Sequence, residues 1–477
     1  MGTLKKNALY NILLSVSQVI FPLVTFPYIT RVLRPDGLGA VTFVDNYTQY
    51  FILVAALGIP VYGMREIARA SKDLQERSKV FTELITLHVI MSVCLSLLYV
   101  GSFLLIPKLQ AYTSLFLIGS SLLIGSVFLI EWYYQGMQAF PFITIRTLCI
   151  RCIAIAAIFI FVQTKEDLVW YYAINAGAVL LNAAVNWWHV KGSVQLVFKE
   201  LQFARHIKPL FFIFSTVLVT SVYSLLDSVL LGFLSTNAQV GFYTTAVKLS
   251  KVLIMLLSAL TAVLVPPLAL AIKEGHTLQA KALLQKSYHY VCFLAVPLSI
   301  GLFVLATPLV LLFAGRAYEA AILPLKILSP TVFIVGMNYI FGIQVLNSTG
   351  NERYFFRATL IGMLVSVSLN LLLIPHLASV GASVANLAVE FTVMLLSGYF
   401  ALKKFNFEAG IGRVMQAFMA SLPFFVFAYI GQYFNLSLEA ELVITGFMGS
   451  LVYIAIQRYV WGNLLLADLL VSVFKKR

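Results

Sequence analysis

Long apolar runs, each about the length of a bilayer-spanning helix, fill most of this sequence. Residues 80–106 and 210–234 are two of them, and polar loops separate each run from the next. A run of roughly 18 or more apolar residues predicts a transmembrane helix, because a helix satisfies all its backbone polar groups internally. The runs are continuous and do not alternate, which argues against a transmembrane β-barrel. The chain is therefore predicted to be an all-α, polytopic membrane protein.

Composition supports the same fold class. Of the 477 residues, 61% are hydrophobic and 11% are charged, whereas a soluble domain is about 45–50% apolar and about 25% charged. Breaks at Gly, Pro and charged residues divide the apolar sequence into about fourteen predicted spans. These are residues 8–32, 39–62, 80–106, 115–134, 143–162, 168–190, 210–234, 240–269, 288–313, 322–346, 355–374, 381–402, 414–433 and 442–460.

The polar segment 191–209 divides the spans into two comparable halves. A short internal repeat agrees with this division, since residues 38–42 (LGAVT) resemble residues 240–244 (VGFYT). Parallel six-helix repeats around a midplane site are typical of transporters. The predicted domains are a six-helix bundle at residues 1–205, a second at 206–403, and two further helices with a cytoplasmic tail at 404–477.

Positive charge is unevenly distributed among the loops. The chain has 33 Lys and Arg against 19 Asp and Glu, a net charge of +14. Loops at 65–79, 191–208 and 403–413 are rich in Lys and Arg, and the loops between them are not. Because Lys and Arg are retained in cytoplasmic loops, both termini are predicted to be cytoplasmic. This placement indicates membrane topology rather than a nucleic-acid partner.

Sequence motifs of enzymes and ATP-driven pumps are missing. There is no P-loop and no HExxH motif, and the six histidines show no metal-ligand spacing. Cys149 and Cys152 form a CxxC spacing inside a predicted span, which favours packing over redox chemistry. We therefore predict no enzyme activity, no cofactor and no metal, and a secondary transporter or lipid flippase remains.

Cationic residues within or at the ends of spans are the first site candidates. They are Arg31, Arg146, Arg151, Lys248 and Lys251. A charge inside a bilayer is costly, which makes it a functional candidate, and a cationic cavity suits a phosphate or diphosphate. Alternatively, Arg146 and the two lysines lie near interfaces and extend to the headgroups. The cavity is favoured for Arg151, which lies deeper.

Carboxylates and amides also lie within the predicted spans. Three carboxylates are candidates for ion coupling or gating through H+ or Na+: Asp45, Glu131 and Asp227. The alternative for each is a structural pair with a buried cation. Amide side chains that would suit sugar hydroxyls, or bonds between helices, are Asn46, Gln49, Asn175, Asn182 and Asn186.

Three further expectations concern local structure. Trp132, Tyr133 and Tyr134 lie near a span end, where aromatic residues usually anchor at lipid headgroups. Residues 194–201 are predicted to form an amphipathic helix at the membrane surface. Pro22 and Pro27 make the first span a candidate hinge.

Several short motifs resemble those of Wzx-type polysaccharide flippases, the polysaccharide transporter family of the multidrug/oligosaccharidyl-lipid/polysaccharide superfamily. They are residues 7–11 (NALYN), 26–33 (FPYITRVL), 56–68 (ALGIPVYGMREIA), 131–136 (EWYYQG), 227–232 (DSVLLG) and 240–243 (VGFY). The resemblance runs along most of the chain and is strongest over the first 140 residues. Arg34 departs from the family, which usually has Gly after the RVL run.

This resemblance implies two six-helix bundles in a V shape around a central, often cationic, cavity, with two further helices. It implies flipping of undecaprenyl-diphosphate-linked oligosaccharide repeat units to the outer leaflet of the bacterial cytoplasmic membrane by alternating access. Expected partners are the lipid-linked substrate, membrane lipids and polysaccharide assembly proteins. By analogy, the five cations named above would contact the diphosphate headgroup.

Alternative functions share this fold. They are a lipid II flippase, a teichoic-acid precursor flippase, and an ion-coupled multidrug exporter of the same superfamily. A drug exporter needs an acidic cavity, which the cationic excess within the spans disfavours. A polysaccharide polymerase or ligase would need a long extracytoplasmic loop with catalytic residues, and the loops here are short.

Overall fold

The computed structural model describes residues 3–405 and 409–463, without the side chains at 3–6, 8, 12, 19, 220, 222–224 and 259–260. The predicted cytoplasmic tail falls largely on residues 464–477, outside the described residues. The chain divides into two compact units, Met1–Gly241 and Phe242–Arg477, here called unit 1 and unit 2. Within the described residues the fold is almost entirely helical, and the predicted all-α class is confirmed.

Nine helices and the start of a tenth form unit 1. They are α1 (Thr3–Ala56), α2 (Ile59–Arg69), α3 (Leu74–Leu105), α4 (Pro107–Gln110), α5 (Thr113–Gly125), α6 (Glu131–Gly136), α7 (Phe140–Phe161), α8 (Leu168–Val190), α9 (Ala204–Leu234) and the first residues of α10 (Asn237–Ala262).

Unit 2 begins within α10 and contains nine later helices. They are α11 (Val265–Lys273), α12 (Thr277–Val304), α13 (Ala306–Phe313), α14 (Ile322–Leu328), α15 (Thr331–Asn338), α16 (Glu352–Lys404), α17 (Ile411–Ser421), α18 (Pro423–Tyr433) and α19 (Leu438–Ala455).

Among the described residues, ten helices are long and apolar enough to cross a membrane. The number rises to eleven if the bent pair Arg316–Leu328 and Thr331–Asn347 is one span. The predicted number of about fourteen is therefore not confirmed. One reason is that α1 and α16 each contain two predicted spans. With 54 and 53 residues, each would be about 80 Å long as a straight helix at 1.5 Å per residue, against a hydrocarbon core of about 30 Å.

Helix α16 reverses direction near its middle. Ala378 has φ 48° and ψ −124°, outside the helical region. On either side of this residue the two halves pack together, because a Cβ added at Gly362 would lie 2.6 Å from Val393 Cγ2. The two predicted spans 355–374 and 381–402 therefore form an antiparallel helical hairpin.

A break in α1 occurs at Arg34, where φ is 58° and ψ is 177°. Pro35 follows it, and a residue before proline is disfavoured in the helical region. Helical geometry continues through Pro22 and Pro27. Just past the break, Gly39 lies against the backbone at Asn237, too close for any Cβ to fit. The start of the LGAVT repeat thus meets the helix that carries the VGFYT repeat.

The aromatic run in α6 is a core element, so the predicted role of these side chains as headgroup anchors is wrong. Trp132, Tyr133 and Tyr134 are all buried. Phe81 of α3 packs against Trp132 with ring centroids 5.6 Å apart, and the Tyr134 hydroxyl donates to the Asn186 carbonyl at 2.6 Å. This packing fixes α6 and the Glu131 at its start.

The predicted surface helix at 194–201 is also wrong. This segment is not helical, and it runs along α3 instead. The Gln195 amide donates to Ser78 Oγ at 3.0 Å and the Val197 amide donates to Thr82 Oγ1 at 3.1 Å. Hydroxyls one helical turn apart on α3 therefore supply the acceptors that a helix would otherwise provide.

Candidate functional site

A polar cavity of about 470 Å³ lies inside unit 1. Parts of α1, α6, α7 and α8 line it, with Leu129 before α6. Its polar lining consists of Gln18, Thr25, Glu131, Thr147, Arg151, Asn175 and Asn182. Phe21 and Pro22 of α1 also face it. Because proline has no N–H, the Gln18 carbonyl lacks its helical donor at this point of the wall.

Arg151 is the cation that lines this cavity. It sits on α7, and its guanidinium lies 5.8 Å from the centre of the Phe21 ring. The Arg151 Nη1 atom is 3.5 Å from Ser17 Oγ, at the outer limit for a hydrogen bond. The guanidinium contacts the Phe21 ring and makes one weak hydrogen bond, so its other N–H groups can donate to an anion or a hydroxyl.

Glu131 and Arg146 form an ion pair beside Arg151. Arg146 Nη2 lies 2.7 Å from Glu131 Oε1, and the side chains are 3% and 41% exposed. Glu131 lines the cavity, while Arg146 lies behind it. The Nε and Nη1 atoms of Arg146 are buried and have no hydrogen-bond partner among the described residues. The pair therefore places a carboxylate in the wall and leaves a buried cation incompletely hydrogen-bonded.

Two amides on α8 face the same space. Asn175 Nδ2 donates to the Tyr171 carbonyl at 2.7 Å, and Asn182 Nδ2 donates to the Ala178 carbonyl at 2.8 Å. Each amide thus donates one hydrogen bond to a carbonyl of its own helix. The Oδ1 atom of Asn182 is buried and accepts no hydrogen bond from the described residues.

The other predicted site residues lie elsewhere on the helices. Within unit 1, Arg31 is exposed on α1 and Asp227 is buried on α9. Asp45 lies near the phenols of Tyr99 and Tyr172. Lys248 and Lys251 belong to the part of α10 in unit 2, one half-buried and one exposed. The structure thus brings together Glu131, Arg146 and Arg151 from the predicted set.

A second ionic cluster in unit 1 was missed from the sequence. Glu83, fully buried on α3, accepts from Arg205 Nη2 at 2.6 Å and pairs with His206 Nε2 at 2.7 Å. The other imidazole nitrogen lies 2.8 Å from the Tyr62 hydroxyl. Arg205 also pairs with Glu76 at 2.9 Å. This complete network joins α2, α3 and α9.

The charges of this network support one another. Burial lowers the pKa of the Arg205 guanidinium, but its hydrogen bonds to Glu83 and Glu76 outweigh burial and hold that pKa above its usual value. The only sequence signal was an acidic residue just inside a span. Its cationic partners are more than 120 residues away in the chain.

An apolar cavity of about 400 Å³ lies inside unit 2, between α10, α12, α18 and α19. Leu253, Pro297 and Phe424 are among its lining residues. The Tyr453 hydroxyl in its wall donates to the Phe293 carbonyl at 2.6 Å. This lining suits hydrocarbon rather than sugar.

Comparison with known proteins gives a family match over the first half of the chain. A family model described as "Polysaccharide biosynthesis protein" matches residues 4–271. The chain is 25% identical over 400 residues to an Escherichia coli K12 protein named "Putative O-antigen transporter", covering 83% of this chain and 95% of that one. It is 26% identical over 242 residues to a Haloferax volcanii protein named "Probable low-salt glycan biosynthesis flippase Agl15", covering 49% and 50%.

Solved structures show the same fold. The lipid II flippase MurJ, in an inward closed conformation, superimposes with a TM-score of 0.78 at 15% identity, covering 96% of this chain and 100% of that one. An inward-facing multidrug resistance transporter of the MATE family and MOP superfamily gives a TM-score of 0.64 at 12% identity, covering 83% and 98%. At these identities the likeness concerns the fold alone.

Proposed function

Because the chain belongs to the polysaccharide biosynthesis protein family, as its motifs predict, we propose that it flips lipid-linked oligosaccharides. The substrate is an undecaprenyl-diphosphate-linked repeat unit, moved from the cytoplasmic to the outer leaflet by alternating access. The relatives named for O-antigen transport and glycan flipping support this substrate class. Among the features of the molecule, the polar cavity of unit 1 carries the proposal.

The lining of that cavity matches the chemistry of a glycan headgroup. A sugar hydroxyl both donates and accepts, so it can donate to Asn175 Oδ1 and accept from Arg151. Phe21 also lines the cavity and provides an apolar ring beside the guanidinium. The apolar face of a sugar ring can pack against such an aromatic side chain. A phosphate could take the same arginine donors in a charge-assisted bond.

Ion coupling is assigned to the carboxylates. Glu131 faces the cavity and already pairs with Arg146, so binding of H+ there would release the arginine toward an incoming anion. H+ or Na+ is the proposed coupling ion, with Asp45 and Asp227 as further gating residues. Arg31, Lys248 and Lys251 complete the proposed set of headgroup contacts.

The setting of the proposed activity follows from the charge distribution and the family. We place the protein in the bacterial cytoplasmic membrane with both termini cytoplasmic. Two six-helix bundles at residues 1–205 and 206–403, with the remainder as two added helices, are the proposed organisation. No catalysis is assigned, and the proposed partners are the lipid-linked substrate, membrane lipids and polysaccharide assembly proteins.

The proposal is tested in a strain that lacks the gene. Wild-type protein, Arg151→Ala and the control Lys165→Ala are each returned to it. Lys165 carries the same charge but is exposed and lies outside the cavity. Surface glycan, lipid-linked oligosaccharide on the cytoplasmic face, and protein in the membrane are measured together. We expect R151A to reduce surface glycan at least about tenfold, equivalent to the loss of one charge-assisted contact, while K165A matches wild type.

Other outcomes distinguish the alternatives. Undiminished surface glycan with R151A at normal abundance removes Arg151 from the site. If the deletion strain keeps its surface polymers but becomes sensitive to cationic drugs, the multidrug exporter is correct. Loss of peptidoglycan or teichoic acid synthesis instead would identify a lipid II or teichoic-acid precursor flippase.

A further inference from the structure

Four cations gather at the end of the α16 hairpin in unit 2. Arg353 and Arg357 come from its first half, and Lys404 from its last turn. All three charged groups lie over one ring, that of Tyr354, at 5.5, 5.7 and 5.3 Å from its centre. Lys403 lies 5.8 Å from the ring of Tyr399. We call these four cations the basic cluster.

Packing between the two halves of the hairpin brings these charges together. The Tyr354 and Phe400 rings lie 4.9 Å apart, and Phe400 also contacts Tyr399 at 5.4 Å. Residues that are about fifty positions apart in the chain are thereby fixed at one rim. The cluster is a product of the fold and not of a run of basic sequence.

Within residues 3–405 and 409–463, no carboxylate pairs with the basic cluster. Glu352 is next in sequence to Arg353 and is exposed, yet it makes no such pair. Like charges held close together repel, so binding of an anion between them stabilises the cluster.

The surface beside the basic cluster is apolar and exposed. Phe391, Leu395 and Tyr399 repeat at intervals of four along the second half of α16, and all three are exposed. Lys403 continues the same stripe by another four residues. Beside Arg357, Ile361 is exposed one turn further into the helix. An exposed apolar stripe that ends in a tyrosine and a lysine is typical of a helix leaving the hydrocarbon at the headgroup level.

We propose that the basic cluster binds the phosphate of an anionic membrane lipid, with phosphatidylglycerol as the representative headgroup. Arginine guanidinium groups match phosphate oxygens in a bidentate manner, and the lysines add point charge. The lipid chains would lie along the apolar stripe of α16. This site is separate from the transported substrate and does not depend on the flippase proposal.

Lipid titration of the purified full-length protein, read by native mass spectrometry, tests the proposal. Wild type is compared with Arg353→Gln/Arg357→Gln/Lys404→Gln. The matched control is Lys191→Gln/Lys199→Gln/Lys208→Gln, which removes three exposed lysines from unit 1. We expect the cluster variant to bind phosphatidylglycerol roughly 10- to 100-fold more weakly. The control should bind it as wild type does, and phosphatidylcholine binding should not change.

Two further arms make the result decisive. Arg353→Lys/Arg357→Lys keeps the charge and should retain most of the phosphatidylglycerol binding, which separates loss of charge from misfolding. A large excess of inorganic phosphate should displace the lipid poorly, because the apolar stripe contributes to lipid binding only. Equal binding of both lipids by wild type, unchanged binding by the cluster variant, or ready displacement by phosphate would each overturn the proposal.

Discussion

In two clusters of unit 1 a glutamate and an arginine pair with one of the two side chains fully or almost fully buried, and the clusters differ in how completely their charges are hydrogen-bonded. Around Glu83, which is fully buried, Arg205 and His206 donate to the carboxylate and Tyr62 bonds the far side of the imidazole. Around Arg146, Nη2 donates to Glu131, while Nε and Nη1 have no hydrogen-bond partner in the part of the chain that the structure describes.

This difference in hydrogen bonding indicates a structural role for the Glu83 cluster and favours a functional role for the Glu131–Arg146 pair. A complete buried network holds a single arrangement of helices, because any change would leave a group unpaired. An incomplete pair whose carboxylate reaches a cavity can exchange partners with a ligand at little cost. The Glu83 cluster therefore fixes α9 against α2 and α3, whereas we propose a functional role for the Glu131–Arg146 pair, whose carboxylate lines the cavity.

The largest expected effect is at Glu83. Glu83→Ala leaves His206 and the Gln202 amide without their acceptor, and leaves Arg205 with Glu76 alone, so the free energy of unfolding should fall by about 3–5 kcal/mol. Thermal unfolding in detergent, with the amount of protein in the membrane, measures this loss. The control is Glu76→Ala, which removes a 43% exposed partner of Arg205 and should cost less than about 1 kcal/mol. Equal losses would contradict the assignment of Glu83 as the centre of the network.

An asymmetry is expected within the Glu131–Arg146 pair. Glu131→Ala leaves a buried guanidinium without counter-charge and should lower the free energy of unfolding by about 1–3 kcal/mol. Arg146→Met leaves a carboxylate that reaches the cavity and can be hydrated, so its cost should stay below about 1 kcal/mol. Unfolding of the two variants side by side measures the difference. A greater loss for R146M would show that the pair is as closed as the Glu83 network.

The smallest effect is expected at the edge of the complete cluster. Tyr62→Phe removes the hydroxyl beside His206 and should lower the free energy of unfolding by about 1 kcal/mol. The matched control is Tyr433→Phe, where the tyrosine is exposed and no change is expected. In the Glu83→Ala background the Tyr62 effect should shrink, because the two side chains share His206. Full additivity would mean that Tyr62 is not coupled to Glu83.

Hydropathy and motifs were sufficient for the fold class and the family, since both depend on features repeated along the whole chain. Part of the candidate site could also be predicted from the sequence, because few charged residues lie inside apolar runs. Glu131 and Arg151 were named from that rule alone and share one cavity. Arg151 was favoured for a cavity because it lies deeper in its span, but the position of Arg146 behind the wall could not be predicted, because helix rotation depends on packing.

The failures have identifiable physical causes. Trp132 was assigned to the headgroups from its place near a span end, but short α6 packs it against Phe81. Residues 194–201 were predicted to be an amphipathic helix, yet Ser78 and Thr82 accept from two of their backbone amides and the segment is not helical. The Glu83–His206 contact joins residues 123 positions apart, and no local pattern encodes such a pairing.

The separation of Glu83 and His206 along the chain also determines the order in which they are synthesised. Ribosomes add about 5–20 residues per second, so Glu83 emerges roughly 6–25 s before His206. During this interval α3 enters the membrane with a carboxylate whose partners do not yet exist. A nascent chain arrested before Gln202 keeps that uncompensated charge, so the ion pairs that fix α9 against α3 form only late in synthesis.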